Sequence, residues 1–317
     1  MKKILSFLFV LILLAIGATV VFGQFKETFS FNFNTTPIEQ VETVSGSEAE
    51  NIEIRATSAD IKVVSVDRED IYAKLSGDVS EKNKDKYKLK VKEVDGNVHI
   101  EVEQPKMEFQ FGTNITNLKL EVEVPERTYT ELSTYSTSSD IQMSGLRVVS
   151  LKTEVTSGNI SVEGITVTDS YSINLTSGNV HIEDTIANDI TIEGTSGDIT
   201  FQEVLADVQV ETTSGDINVW GVQGNIALET TSGDIEIDNE RVTGNLEVEV
   251  TSGDVRVQFD ESPTSLTVDF KGGSGKGTVN LDGMQYVEKS EKSIEGQIGD
   301  GEFLLKVRTT SGDFRLN

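Results

Sequence analysis

Apolar and polar side chains alternate in short runs along most of this chain, and one tetrapeptide punctuates the runs at near-constant intervals. Thr-Ser-Gly followed by Asp or Asn, then Ile or Val, recurs with its serine at 157, 177, 196, 214, 232 and 252, in steps of 20, 19, 18, 18 and 20. Variants carry their serines at Ser58, Ser138 and Ser311. Six, four and two residues before each serine the side chains are mostly apolar or Thr, as in Leu151, Thr153 and Val155 or Ile226, Leu228 and Thr230. Three and five residues after it come pairs such as Ile160 and Val162 or Ile217 and Val219. Period-two patterning on both sides of a turn predicts two short strands per repeat. One more apolar residue falls in each return segment, at Ile165, Ile186, Val222 and Val242.

A single repeat turns too few side chains inward to close a core, so the repeats must stack, each rung pairing its backbone with the next. The expected fold is all-β, a parallel β-solenoid of about 18–20 residues per rung, with Ile160, Val180, Ile199, Ile217, Ile235 and Val255 in one buried column. A meander of antiparallel hairpins could use the same strands, but near-constant rung length matters more for a stack. The turn glycine suits a position with positive φ, and the Asp or Asn after it suits a local Asx-turn.

The period fails between 70 and 130. Residues 87–94 and 98–103 flank Asp95-Gly96, a two-residue hairpin signal. In that register Val91 faces Ile100 and Leu89 faces Val102, while Lys92, Lys90 and Lys88 face His99, Glu101 and Glu103. This antiparallel hairpin is expected to cap the solenoid. By spacing, Ser311 lies about three worn repeats beyond Ser252, and Ser58 about four before Ser138. In 24–50, the alternating Phe29, Phe31 and Phe33 are candidates to pair onto the stack, and the rest reads as linker. The chain thus divides into an N-terminal segment at 1–23, a linker with a first strand at 24–50, a β-rich part at 51–130 and the repeat solenoid at 131–317.

Met1-Lys2-Lys3 precedes an apolar run at 4–22 with only Ser6 and Thr19 polar. Nineteen helical residues span roughly 28 Å, close to a bilayer core. The two lysines favour a cytoplasmic start, which exports the rest. A cleaved signal peptide competes, but such peptides have shorter apolar cores, and Val21-Phe22-Gly23 is a weak cleavage site. The expectation is an N-terminal transmembrane helix, with the bulk of the chain outside the cell membrane. A net charge of −26 disfavours nucleic acid as a partner. No cysteine is present, so neither disulfides nor thiolate metal sites arise.

The Thr-Ser-Gly-Asp-Ile repeats, the Val124-Pro125 strand end before them and the apolar N-terminus together resemble the bacterial adhesin-like family of domains of unknown function, which includes LiaG-like membrane-anchored proteins of envelope-stress operons. The resemblance covers about residues 50–317. It implies a β-solenoid exposed in the cell envelope and transfers no catalytic residue.

Little of the sequence reads as chemistry. The outward slot four after the turn serine holds Lys62, Gln142, Ser161, His181, Thr200, Asn218, Glu236, Arg256 and Arg315, a variety suited to a solvated surface. With His99 and His181 the only histidines, neither a histidine triad nor a zinc site is expected. Gly272-Gly273-Ser274-Gly275-Lys276-Gly277 lacks the Ser or Thr a phosphate loop needs after its lysine, and reads as a tight turn or worn rung. The column of Asp198, Asp216, Asp234 and Asp254 offers one carboxylate per turn, fewer than calcium takes from a compact loop. Lys82, Lys84, Lys86, Lys88, Lys90 and Lys92 stand out in so acidic a chain. Cross-strand pairing with Glu101 and Glu103 and contact with an anionic surface are both open readings. The expected function is a non-enzymatic envelope scaffold for a protein or glycan partner, without catalytic residues, metal or cofactor. A lyase acting on acidic glycans and a calcium-dependent spacer are the alternatives.

Overall fold

The computed structural model describes residues 35–105 and 116–317. The apolar run at 4–22 and Phe29, Phe31 and Phe33 lie outside the described residues. Among the described residues no helix is long and apolar enough to cross a membrane.

The strands form two facing sheets of 13 and 14 strands. At about 4.8 Å per strand the stack is roughly 60 Å long. In each regular rung a long strand such as Arg147–Ser157 leads through the Thr-Ser-Gly-Asn turn into a short strand such as Ile160–Glu163 in the opposite sheet. The pairing is parallel from rung to rung, and each turn serine sits opposite the next, from Ser157 and Ser177 to Ser232 and Ser252. The alternation therefore stays in phase, and the predicted column from Ile160 through Val255 is continuous and buried. One core runs through both sheets and through strands on either side of residue 130.

The return segment departs from its expectation in one rung. Leu146, Ile165, Thr185, Val204 and Val222 fill the inward slot there, while Ile186 is 52% exposed. Asp184 adopts a left-handed φ of 48°, as Gly164 does one rung earlier, and this turns Thr185 inward. The Thr185 hydroxyl donates to the Glu183 carbonyl at 3.0 Å, so a polar residue serves in an apolar slot.

The ends are built differently from the spacing count. The strand Phe303–Ser311 pairs directly with Leu246–Ser252, placing Ser311 opposite Ser252. The chain leaves the Ser252 rung, skips one rung's width, and forms Leu266–Gly272, Gly277–Val279 and an antiparallel hairpin. It then returns to fill the gap, with Phe314 stacked on Phe270 at 5.0 Å. The other end mirrors this. Asn51–Ala56 and Ala59–Val66 stack directly on the rung of Ser138, with Asn97–Glu103 and Thr116–Pro125 beyond them. No worn rungs intervene at either end. The extra residues cover ends that would otherwise expose core and unpaired strand edges.

The hairpin register is as the sequence predicts, from Lys88 opposite Glu103 to Lys92 opposite His99. The described part of the segment read as linker is largely strand, since Thr35–Ser45 pairs antiparallel with Asp70–Ser80 as the last strand of its sheet. Gln40 ties the two sheets together at this end. Its side-chain amide donates to the Tyr87 carbonyl and accepts from the Leu89 amide, both at 2.8 Å.

Candidate functional site

The repeat turn positions its polar side chain for stacking. In the Ser214 turn, Gly215 has φ +127°, and a Cβ on it would lie 2.1 Å from the Gly197 carbonyl oxygen of the neighbouring rung. Only glycine permits both that conformation and that approach. The following carboxylate or amide does not form the expected local Asx-turn. Its Oδ1 accepts instead from the backbone N–H at the same position one rung along. Asp198 accepts from Asp216 at 3.0 Å, Asp216 from Asp234 at 2.8 Å, and Asp234 from Asp254 at 2.8 Å. The series begins at Asp60 and Asp140 and runs through Asn159 and Asn179. It closes where Asp254 accepts from Asp313, and Asp313 from Lys276. The glycine-rich segment is thus a rung turn in which Lys276 replaces the acid, and its ammonium pairs with Glu291 at 2.9 Å. A second corner repeats the device through Asp207, Asn225 and Asn245. Its signal, Gly224-Asn225-Ile226 and Gly244-Asn245-Leu246, is the same Gly-Asn-apolar string without the Thr-Ser prefix.

In Asp198, Asp216, Asp234 and Asp254 only one carboxylate oxygen takes part in the ladder. Asn159 and Asn179 have no second carboxylate oxygen, and Asp313 and Asp207 bond theirs to Arg315 and Asn225. Among the described residues no group of three or more His, Asp or Glu is placed to hold a metal ion. The outward slot from Lys62 to Arg315 is one continuous row. Among its charged members Arg256 bonds Glu236 at 3.2 Å, Arg315 lies 3.3 Å from Asp313, and His181 lies 3.3 Å from Glu183. His99 meets Glu53 at 3.2 Å. The Arg55 guanidinium holds Glu53 below the usual carboxylate range, with His99 adding to the effect.

A groove of about 810 Å³ opens on the outer face of the long-strand sheet. It crosses six rungs, about 24 Å of the stack. Adjacent outward rows form its walls. One row is Thr57, Thr137, Thr156, Thr176 and Thr195; the other is Glu101, Arg55, Tyr135, Glu154, Asn174 and Glu193. Between the rows the groove floor is formed by Ala56, Val102, Ser136, Val155, Leu175 and Gly194. Tyr135 lies under Arg55 at 4.2 Å and Lys152 at 5.6 Å. The walls therefore offer hydroxyls, an amide and both charge signs. This groove escaped the sequence reading, although its rows sit one and three residues before each turn serine. A second hollow of about 470 Å³ on the same sheet is lined by Asp189, Asp207, Asn225 and Asn245 among others.

The six lysines divide between two elements. Lys82, Lys84 and Lys86 belong to the 3-10 turn Glu81–Lys86, and Lys88, Lys90 and Lys92 to the edge strand Lys88–Val94. All six are exposed. Lys90 bonds Glu103, the diagonal neighbour rather than Glu101 directly opposite, and holds that carboxyl below its ordinary range.

The Toastrack DUF4097 family model matches residues 49–317. Among solved structures, a candidate lipid-binding protein of Parabacteroides distasonis is 16% identical with a TM-score of 0.50, over 88% of this chain and 96% of that one. A candidate adhesin of the same species is 14% identical with a TM-score of 0.48, covering 90% and 98%. A third, a candidate adhesin of Bacteroides fragilis, is 12% identical with a TM-score of 0.45, covering 88% and 97%. Among curated proteins none is significantly similar.

Proposed function

The chain belongs to the Toastrack DUF4097 family, and on that footing we propose that it is a non-enzymatic, membrane-tethered binding scaffold of the bacterial envelope, adhesin-like in presenting a long rigid surface to a partner. The observation that carries this reading is the groove over six rungs. It is an extended, polar, shallow surface, suited to a segment of a protein or a glycan chain laid along the stack. A lyase needs acidic and basic groups converging on one reacting bond. Here Arg55, Lys152 and Arg256 are each engaged by a neighbouring carboxylate. The tether rests on residues 4–22, whose length and composition suit a bilayer span. An envelope-stress role rests on the resemblance to LiaG-like proteins alone.

Co-sedimentation of the detergent-solubilised full chain with isolated, membrane-free wall material, compared with Thr156→Arg and Thr176→Arg, tests the groove. Loss of binding in both variants, with unchanged thermal stability, is expected. Release of unsaturated uronide products from an acidic glycan would establish the lyase instead. Binding insensitive to both substitutions moves the partner site elsewhere.

A further inference from the structure

The segment after Asp70–Ser80 crosses the open end of the solenoid. It leaves the short-strand sheet at Ser80, passes through the turn Glu81–Lys86 and Tyr87, and becomes the edge strand of the other sheet at Lys88. Asn83 and Tyr87 are buried at this end, while Lys82, Lys84 and Lys86 are exposed. Among the described residues these three lysines make no ion pair, and Lys88 and Lys92 on the adjoining edge are likewise without one. Between 81 and 94 the six lysines meet Glu81, Asp85 and Glu93, so the segment is net positive in a chain of net charge −26. The chain comes in from its N-terminus at the same place, because Thr35 pairs with Ser80, the residue before the lysine-bearing turn. Residues 23–34 separate Thr35 from the apolar run and can reach at most about 40 Å.

We infer that this N-terminal end face docks on the anionic lipid headgroups of the membrane that holds the chain, so that the solenoid stands upright with its acidic sides away from the bilayer. The inference rests on the tether reading. Lysine attraction to an anionic surface acts within about a Debye length, roughly 8 Å at physiological salt. A short tether at the basic end supplies that proximity at high effective concentration. The same surface repels the acidic flanks, which disfavours lying flat.

The chain has no cysteine, so one dye can be placed through Asp85→Cys at this end or Asp282→Cys near the other. The full chain is reconstituted with vesicles of phosphatidylcholine alone or mixed with phosphatidylglycerol, each carrying a headgroup quencher. Flotation with both kinds of vesicle, and an increment in quenching at position 85 but not 282 when phosphatidylglycerol is added, are expected. Replacing all six lysines with glutamine should abolish the increment and leave flotation intact, while arginine at the same positions should retain it. Flotation without any such increment overturns the docking and leaves the tether standing. Failure to float with either vesicle removes the tether, and the docking with it. Lysine-dependent binding of soluble poly(glycerol phosphate) with no lipid-dependent quenching assigns the end to a wall polymer and also overturns the inference.

Discussion

Asp216 is surrounded by its own kind: its Oδ1 bonds the Asp234 amide, and its own amide bonds Asp198. Carboxylates one rung apart repel by roughly 0.9 kcal/mol in water, while each amide bond returns about 1 kcal/mol. Asp216→Asn keeps the acceptor and removes the repulsion, so its denaturation midpoint should equal or exceed that of the parent. Asp216→Ala removes the acceptor and should cost about 1 kcal/mol. Calcium should raise the melting temperature no more than magnesium at matched ionic strength. Unfolding in a chelator that only calcium reverses would make the column a required ion site. Tyr129 gives a second test, at high pH. Its buried hydroxyl donates to the Pro125 carbonyl at 3.1 Å, and burial pushes its pKa up to about 12 from 10. The folded state thus keeps a proton that the unfolded chain gives up first. Stability is whole below pH 10 and declines as pH rises from 10 through 12, by roughly 2–3 kcal/mol for this group. Tyr171, fully buried beside Thr153 without a normal hydrogen bond, is displaced in the same direction. Tyr129→Phe should therefore flatten, without abolishing, the fall in denaturant midpoint between pH 10 and 12.

At the scale of the element, strand parity decides what a substitution does. Ile217 is buried in the central column, and Asn218 beside it faces out. Ile217→Asp places an unpaired charge in the core and should cost about 3–5 kcal/mol. Asn218→Asp should stay within about 0.5 kcal/mol. Equal effects in a denaturant titration would contradict the assigned faces. Parity of this kind was legible in the sequence because it repeats every 18–20 residues, and the hairpin around Asp95-Gly96 was legible because both faces of its register agree. The terminal rungs were not. Nothing local distinguishes a parallel strand that pairs with Ser252 from one that pairs further on, so Ser311 could be placed only by counting. The lysine alternation from 82 to 92 looks like one strand, yet the chain turns at 81–86 to bury Asn83 and Tyr87 across the open end. The groove was missed for another reason. Its walls are ordinary outward rows, and only their stacking makes a recess.

Over the whole molecule, two sheets about 60 Å long and a lysine-bearing segment beside the incoming chain are the features from which the proposal of a rod mounted at one end is drawn. The proposed scaffold and the proposed docking both require that the molecule lie outside the cell membrane and be held there by residues 4–22. Protease shaving of intact cells, combined with mass spectrometry of the chain recovered from the membrane fraction, tests this most directly. The account predicts that external protease removes 35–317, and that untreated protein sediments with membranes carrying residues 4–22 intact. A mature terminus near Gln24 with the protein in the medium, or a rod shielded from external protease, would contradict it.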